Sequence, residues 1–451
     1  MRLHTPSSRR RLRFLSLGTA ILVSLVSGSC GGSSASRPTP APTPGSGLFV
    51  DAGSSQGSIS PLVYGSNTGP WLAVPFELTA QIRAMGLKTL TFPGGNWGDG
   101  NDIDEAHVDL FISYCRTIGA EPRIVVRLKG GSAQKAADLV RYANVEQKYH
   151  VKYWGIGNEA ELYAENGLSG YTVDVFNQQW REWAVAMRKV DPSIVLVGPD
   201  VSQYKGDIGA ETWLQDKTDW LTSFLRANGS MVGMVSIHRY PFPTNGLNPP
   251  TIPDLRNSVY EWDSTIPALR KLIHDQTGRD IPIAVTEINS SWNANSAGEA
   301  TMDSHYNAIW WAAVLSRMIE GHVAMVDQFA LAGDYGIVGP SGPRPMYYTY
   351  LMYRRLGSRL VKSVSDDPNV SIVAARAADG SLSLLVVNLA SGPRTMPLTI
   401  VGGSGAGSAR TWLFDSSHAA VEVSPASMGN PVTMPAESVT VFQVAGSAGR
   451  S

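Results

Sequence analysis

Apolar residues gather in short, nearly unbroken runs that recur at similar intervals through the first three quarters of the chain. Each run is rich in Val, Ile, Leu or aromatic residues and shows little polar alternation, which is typical of strands covered on both faces. The runs lie at 61–67, 89–94, 123–128, 152–157, 194–198, 234–240, 283–288 and 325–331.

Segments with helical spacing of apolar residues fill the gaps between these runs. In 133–142, for example, the apolar side chains form one stripe and the charged ones fall off it. The predicted helices are 76–85, 104–118, 133–142, 173–190, 212–227, 259–276, 302–319 and 346–356. Eight alternations of strand and helix predict an α/β fold of the (β/α)₈, or TIM, barrel type.

The pattern changes after Gly357, where short apolar runs alternate with Gly, Ser and Asp turns. This is typical of an antiparallel β-sandwich. The sequence therefore predicts a catalytic barrel at 48–356 followed by a β-sandwich domain at 357–451. An apolar run at 48–51, ahead of the first barrel strand, is expected to pair with the sandwich.

The first 30 residues carry an export pattern: arginines, an apolar stretch at 14–26, then small residues before Cys30. This segment resembles a bacterial lipoprotein signal with Cys30 as the acylated residue, although Ser27 stands where Leu is usual. Ordinary cleavage and secretion, or a double-arginine signal, are the alternatives. Residues 31–47 are a Gly/Ser/Pro linker. We expect an exported protein, lipid-anchored in the cell envelope or secreted.

The composition of the chain limits which partners it is expected to bind. The chain has 451 residues and a formal net charge of −1, so no nucleic-acid partner is expected. Of its two cysteines, Cys115 lies in a helical pattern and is expected to be a buried, inert thiol. No cofactor or metal is predicted. A polar turn at 99–104 is compatible with calcium or with a simple turn, and the oligomeric state is left open.

Two glutamates stand at strand ends. Glu159 follows the fourth apolar run, and Glu287 lies near the end of the seventh. A parallel barrel brings the carboxyl ends of its strands to one mouth, where such barrels place their chemistry. A glycosidase requires two carboxyl groups. One donates a proton, and the second attacks the anomeric carbon or activates water. The pair therefore predicts a carbohydrate substrate.

The segments around these glutamates resemble the clan of retaining glycoside hydrolases built on barrels. The runs 154–159 (WGIGNE), 92–96 (FPGGN), 136–144 and 59–65 are similar to those of the α-L-arabinofuranosidase, heparanase-like β-glucuronidase and β-xylosidase branches. The resemblance covers 48–445, and it implies cleavage by double displacement.

The same resemblance implies roles for single residues. Glu159 would be the acid/base, Glu287 the nucleophile, and Asn158 would bond the 2-hydroxyl of the sugar. Tyr240 and His238, in the sixth apolar run, would orient the nucleophile. The chain departs from the family pattern at Ala160, where Pro is common, and at Gln328 and Phe329, where many relatives carry an aromatic floor. The identity of the sugar and the choice between endo and exo action stay open.

Weaker candidates surround this set. Glu161 is a rival for the acid/base role, with a solvated loop charge as its alternative interpretation, and Glu159 is favoured because Asn158 precedes it. The residues expected either to contact sugar or to serve the local structure are Asn96, Trp97, Asp99, Asp200, Gln203 and Trp292. Arg127 and Lys129 would bind an acidic sugar or pair with barrel carboxylates. The rival function is a non-catalytic, surface glycan-binding lipoprotein on a barrel scaffold.

Overall fold

The structure is a computed structural model, and it describes residues 46–71, 74–206, 212–242, 250–292, 300–334, 336–403, 407–429 and 431–445. The expected signal segment with Cys30, and the linker up to residue 45, lie outside these ranges. Within them, no helix combines the length and apolar character needed to cross a membrane.

The predicted barrel is confirmed. Strand β1 (Leu48–Ser58) precedes it, and eight parallel strands then close on themselves in chain order. These strands are β2 (Gly65–Asn67), β3 (Thr89–Phe92), β4 (Glu121–Val126), β5 (Tyr153–Ile156), β6 (Val195–Val201), β7 (Met234–Arg239), β8 (Ile283–Ile288) and β9 (Met325–Gln328). The predicted first run, 61–67, is a strand only in its second half. Ser60 caps a 3₁₀ turn at Pro61–Val63, and Pro61 suits the first position of such a turn.

Helices lie between the barrel strands. They are α1 (Thr79–Met85), α2 (Trp97–Gly100), α3 (Glu105–Ile118), α4 (Ala133–Val140), α5 (Val173–Val190), α6 (Thr212–Asn228), α7 (Ile252–Ser258), α8 (Trp262–Thr277), α9 (His305–Glu320) and α10 (Pro345–Tyr353). The predicted helix at 259–276 is observed as a 3₁₀ turn, Val259–Glu261, followed by α8, and it is preceded by a further short helix, α7. Thr251 and Asp254 form a capping box at its start, a signal that is present in the sequence.

The C-terminal part is a mixed, curled sheet of mostly antiparallel strands. A two-stranded hairpin, β10 (Val338–Gly339) and β11 (Gly342–Pro343), precedes it. The remaining strands are β12 (Arg359–Ser365), β13 (Val370–Arg376), β14 (Leu382–Asn388), β15 (Arg394–Met396), β16 (Leu398–Val401), β17 (Ser408–Phe414), β18 (Val421–Ser427), β19 (Val432–Met434) and β20 (Ser438–Val444). The large sheet has the order β16-β1-β12-β13-β14-β20-β17-β18, and β15 pairs with β19. Barrel plus sandwich is the predicted fold class.

Strand β1 is part of that sheet. It runs antiparallel to β12, with Leu48 opposite Ser365, and parallel to β16, with Leu48 opposite Leu398. The barrel and the sheet meet at α9, which contacts β13, β14 and β20, and at α10, which contacts β17 and β20. Trp310 and Trp311 of α9 are fully buried. Cys115 of α3 is buried as well.

Candidate active site

Glu159 stands on a sharp turn after β5. Gly157 and Glu159 both have left-handed backbones, with φ of +73° and +45°. A side chain at Gly157 would place its Cβ 2.9 Å from both the Tyr163 hydroxyl and the Leu128 Cβ, so only glycine fits. The amide of Glu159 donates to the carbonyl of Asp200 at 3.2 Å. A strained, non-glycine backbone that its surroundings hold in place is a feature of functional sites.

Glu287 lies on β8 and faces into the mouth of the barrel. Its Oε1 accepts the amide N–H of Gly95 at 2.9 Å, and its Oε2 accepts the Tyr240 hydroxyl at 2.8 Å. The side chain is 7% exposed. Two donors on one carboxylate fix its orientation and favour its ionised form.

The two glutamates and His238 meet in one place. Each offers one oxygen or ring-nitrogen atom, and these three atoms all lie within 4.8 Å of one another. His238 Nδ1 is 2.9 Å from Glu159 Oε1 and 3.7 Å from Glu287 Oε2. The three form a charged cluster, in which His238 hydrogen-bonds Glu159 and lies within ion-pair distance of Glu287. Among the described parts of the chain, these three side chains are also spaced closely enough to bind one metal ion together.

Burial and neighbouring charges shift the titration of Glu287 and His238. Burial raises the pKa of Glu287 to about 7; His238 and the Tyr240 hydroxyl act in the opposite sense, and the charge of Glu159 adds to the rise. Burial would lower the pKa of His238, but Glu287, Glu159 and Asp200 raise it to about 9. His238 is therefore an imidazolium at neutral pH, held between carboxylates.

Asp200 forms the floor behind this cluster. Its carboxylate pairs with the buried guanidinium of Arg123 from β4 and accepts the Thr286 hydroxyl at 2.6 Å. Burial alone would raise the pKa of Asp200, yet Arg123 and His238 hold it below its usual range. Arg123 was not among the predicted site residues, although an arginine inside an apolar strand run is a visible signal.

The short helix α2 holds Asn158 from one side. The side-chain Nδ2 of Asn158 donates to Asn96 Oδ1 at 3.0 Å, and the backbone N–H of Asn158 donates to the Asp99 carboxylate at 3.0 Å. Trp97 stacks on Trp71, with ring centroids 6.1 Å apart. Asn96 and Asp99 thus position the residue before Glu159, and Trp97 lies next to them.

Aromatic rings lie around Tyr240, on the Glu287 side of the site. Tyr240 is buried and contacts Trp292 edge-on at 6.0 Å and Phe329 at 6.4 Å. Trp292 is 41% exposed, so it has surface to offer a ligand. The Phe329 ring would lie 3.2 Å from a Cβ at Gly95. The residue after the eighth barrel strand, Phe329, therefore places an aromatic ring beside the site.

One interpretation from the sequence is wrong. Glu161 is not a solvated loop charge, because its side chain is only 4% exposed. The 3₁₀ turn Ala160–Leu162, which follows the left-handed Glu159, directs it inward. There its Oε1 accepts the amide N–H of Ser202 at 2.6 Å.

The outer charged residues have local partners. Arg127 donates to the carbonyls of Asp99 and Lys129 and lies 3.5 Å from Asp102, while Lys129 donates to the carbonyl of Asn166. These contacts favour a structural role over binding of an acidic sugar. In the polar turn at 99–104, Asp102 also pairs with a lysine and Asp104 caps α3. Gln203, also considered from the sequence, accepts the amide N–H of Tyr240 at 3.1 Å.

The fold and the facing carboxyl groups define a class, that of glycoside hydrolases on (β/α)₈ barrels. No family model matches the chain. It is similar to α-L-arabinofuranosidase C of Emericella nidulans, with 21% identity over 69% of this chain and 75% of that protein. A probable α-L-arabinofuranosidase C of Aspergillus flavus is 22% identical over 44% of this chain, which spans only 46% of that relative.

Solved structures share the fold. The α-L-arabinofuranosidase of Thermotoga maritima, in its arabinose complex, superposes with a TM-score of 0.72 at 19% identity over 88% of this chain and 99% of that one. A GH51 α-L-arabinofuranosidase of Thermotoga petrophila gives 0.71 at 20% identity, with the same shares covered. The predicted resemblance to the arabinofuranosidase branch is confirmed by these relatives.

Proposed function

We propose that the chain is a retaining glycoside hydrolase that cleaves a polysaccharide or oligosaccharide by double displacement. The observation that carries the proposal is the distance between the Glu159 and Glu287 carboxyl groups, whose facing oxygens lie within 4.8 Å. Retaining enzymes separate their two carboxyl groups by about 5–5.5 Å, and inverting enzymes by about 6.5–9.5 Å to admit a water molecule.

In the first step, Glu287 attacks the anomeric carbon while Glu159 protonates the leaving glycosidic oxygen, whose bond to that carbon breaks. The product is a glycosyl ester of Glu287. In the second step, Glu159 takes a proton from water, the water oxygen attacks the anomeric carbon, and Glu287 leaves as a carboxylate. Tyr240 and the Gly95 amide hold Glu287 in position and stabilise its charge.

Binding follows from the residues around the pair. Asn158 would bond the 2-hydroxyl of the sugar, since Asn96 occupies only one of its two amide hydrogens. Trp292 and Trp97 would contact the sugar ring or the leaving group. The names of the relatives make an α-L-arabinofuranoside the first substrate to test.

The test is a panel of aryl glycosides: α-L-arabinofuranoside, xyloside, glucoside and glucuronide, together with plant and bacterial polysaccharides. Glu287→Ala is expected to lose nearly all activity, and azide is expected to restore part of it with inverted anomeric stereochemistry. Glu320→Gln is the matched control, because Glu320 pairs with Arg317 at the end of α9, outside the cluster. Full activity of Glu287→Ala overturns the proposal, and tight glycan binding without product supports the rival non-catalytic function.

We also propose that the protein is exported and anchored through Cys30 or secreted. Labelling of cells with a radioactive fatty acid tests the anchor. Label on the full-length chain that is absent from Cys30→Ala is expected, and equal labelling of both contradicts it.

A further inference from the structure

A third carboxyl group lies beside the proposed catalytic pair. Glu161 is two residues after Glu159, and its side chain is almost completely buried. Its Oε1 accepts the amide N–H of Ser202, the residue that follows β6. Glu159 itself bonds the carbonyl of Asp200 in the same strand. The turn that carries Glu159 is thus attached to the end of β6 at two points.

Lys217 of α6 faces the same carboxylate. Its Nζ lies 3.8 Å from Glu161 Oε1, and its side chain is 11% exposed. The other oxygen, Oε2, is buried without a hydrogen-bond donor among the residues that the structure describes. A buried carboxylate that is only partly compensated is costly. Such a group calls for an explanation beyond packing.

Among the residues that the structure describes, two charged groups act on this carboxylate. On its own turn it faces Glu159, and from α6 it faces Lys217. Glu159 in turn faces His238 of β7, which also faces Glu287 of β8. Glu161 and Lys217 therefore form an outer ion pair, next to the inner cluster of the site.

We propose that Glu161 is a positioning residue for the acid/base: it fixes the turn of Glu159 against the end of β6, and its charge, balanced by Lys217, tunes the proton transfer that Glu159 carries out. This inference rests on the proposed function. A negative charge at Glu161 favours the protonated form of its neighbour, and Lys217 limits that effect.

The titration of Glu161 supports the coupling. Burial raises the pKa of Glu161 to about 7, Lys217 lowers it, and the charge of Glu159 raises it further. Interaction between two titrating groups is mutual. A change of charge at Glu161 is therefore expected to be felt in the catalytic cluster.

The test compares pH profiles of kcat/KM. Glu161→Gln keeps an oxygen for the Ser202 amide but leaves Lys217 unbalanced. The alkaline limb, which reports loss of the proton from the acid, is expected to move down by about 1 pH unit. Lys217→Met removes only the cation, so its limb is expected to stay or move up. The double variant, which removes both charges, is expected to return close to the wild-type limb.

Glu165→Gln is the matched control, since it removes an exposed carboxylate from the same loop and should leave the profile unchanged. An alkaline limb of Glu161→Gln that coincides with wild type overturns the proposal. If that variant does not fold, the double variant replaces it. Its alkaline limb is expected close to that of wild type, and a limb displaced downward contradicts the charge balance.

A second readout does not require turnover. His238 bonds Glu159 directly, so NMR of histidine-labelled protein reports the charge of the cluster. Glu161→Gln is expected to shift the His238 titration, while Glu165→Gln is not. If the wild-type protein hydrolyses no substrate, the proposed function fails. A shifted His238 titration in Glu161→Gln still supports the coupling of Glu161 to the cluster, and an unchanged titration overturns that coupling.

Discussion

Removal of one hydroxyl group, in Tyr240→Phe, tests how the site keeps its nucleophile ionised. The Tyr240 O–H donates to Glu287 Oε2 at 2.8 Å, and the ring keeps its edge contacts with Trp292 and Phe329 in the variant. A hydrogen bond to a charged group contributes about 1.5–3 kcal/mol. Because one pKa unit corresponds to about 1.4 kcal/mol, the pKa of Glu287 should rise by about 1–2 units from about 7.

The sign follows from the direction of the bond. A donor stabilises the carboxylate, so its loss raises the pKa of Glu287 and leaves less nucleophile ionised. The acidic limb of kcat/KM should therefore move up by about 1–2 pH units, and activity at pH 6 should fall about 10- to 100-fold. The Gly95 amide remains as the second donor, so the loss should be smaller than that of Glu287→Ala.

The assay is a pH profile of aryl-glycoside hydrolysis. Tyr306→Phe is the control, because Tyr306 is also buried and donates its hydroxyl to a carbonyl, that of Leu389, away from the cluster. It should lower stability without moving the profile. An acidic limb of Tyr240→Phe that coincides with wild type would refute the reasoning.

Two further predictions concern stability. The pKa of His238 is raised to about 9 in the folded protein, against about 6.5 when unfolded, so its contribution to folding stability is complete below about pH 6.5 and is lost as the pH rises through 9. The thermal midpoint should therefore fall between these two pH values, and it should fall less in His238→Gln. Equal slopes of midpoint against pH in both proteins would contradict this. Gly157→Ala should lower the midpoint and the activity because its Cβ meets Tyr163 and Leu128, whereas Gly167→Ala, at φ +99° with open space around it, should cost less. Equal losses in thermal melts would show that backbone strain alone matters.

The barrel could be predicted because its strands are buried on both faces, which leaves unbroken apolar runs in the sequence. The ends of these elements were harder to predict, because they depend on caps. Ser60 starts a 3₁₀ turn within the first apolar run, and Thr251 starts a helix ahead of the expected one. In both cases a short polar signal outweighs the apolar pattern.

The candidate site was predictable where its residues stand at strand ends, as Glu159 and Glu287 do. Their roles stay predictions. The amide of Gly95 could not be predicted, because a backbone donor leaves no trace in residue type. The inward direction of Glu161 depends on the left-handed backbone of Glu159, which residue type does not reveal either. What the sequence misses are contacts set by backbone direction.

Charge balance gives a physical reason why the glutamate pair suits acid/base chemistry. Arg123 and Asp200 compensate each other, so the imidazolium of His238 is the cation left for Glu159 and Glu287. Two carboxylates against one buried cation leave an excess negative charge, and a single proton on the pair removes it. Glu287 accepts hydrogen bonds from two fixed donors, and these oppose the effect of burial on its carboxyl group. A pair that shares one proton supplies what double displacement requires, one ionised carboxylate and one protonated acid.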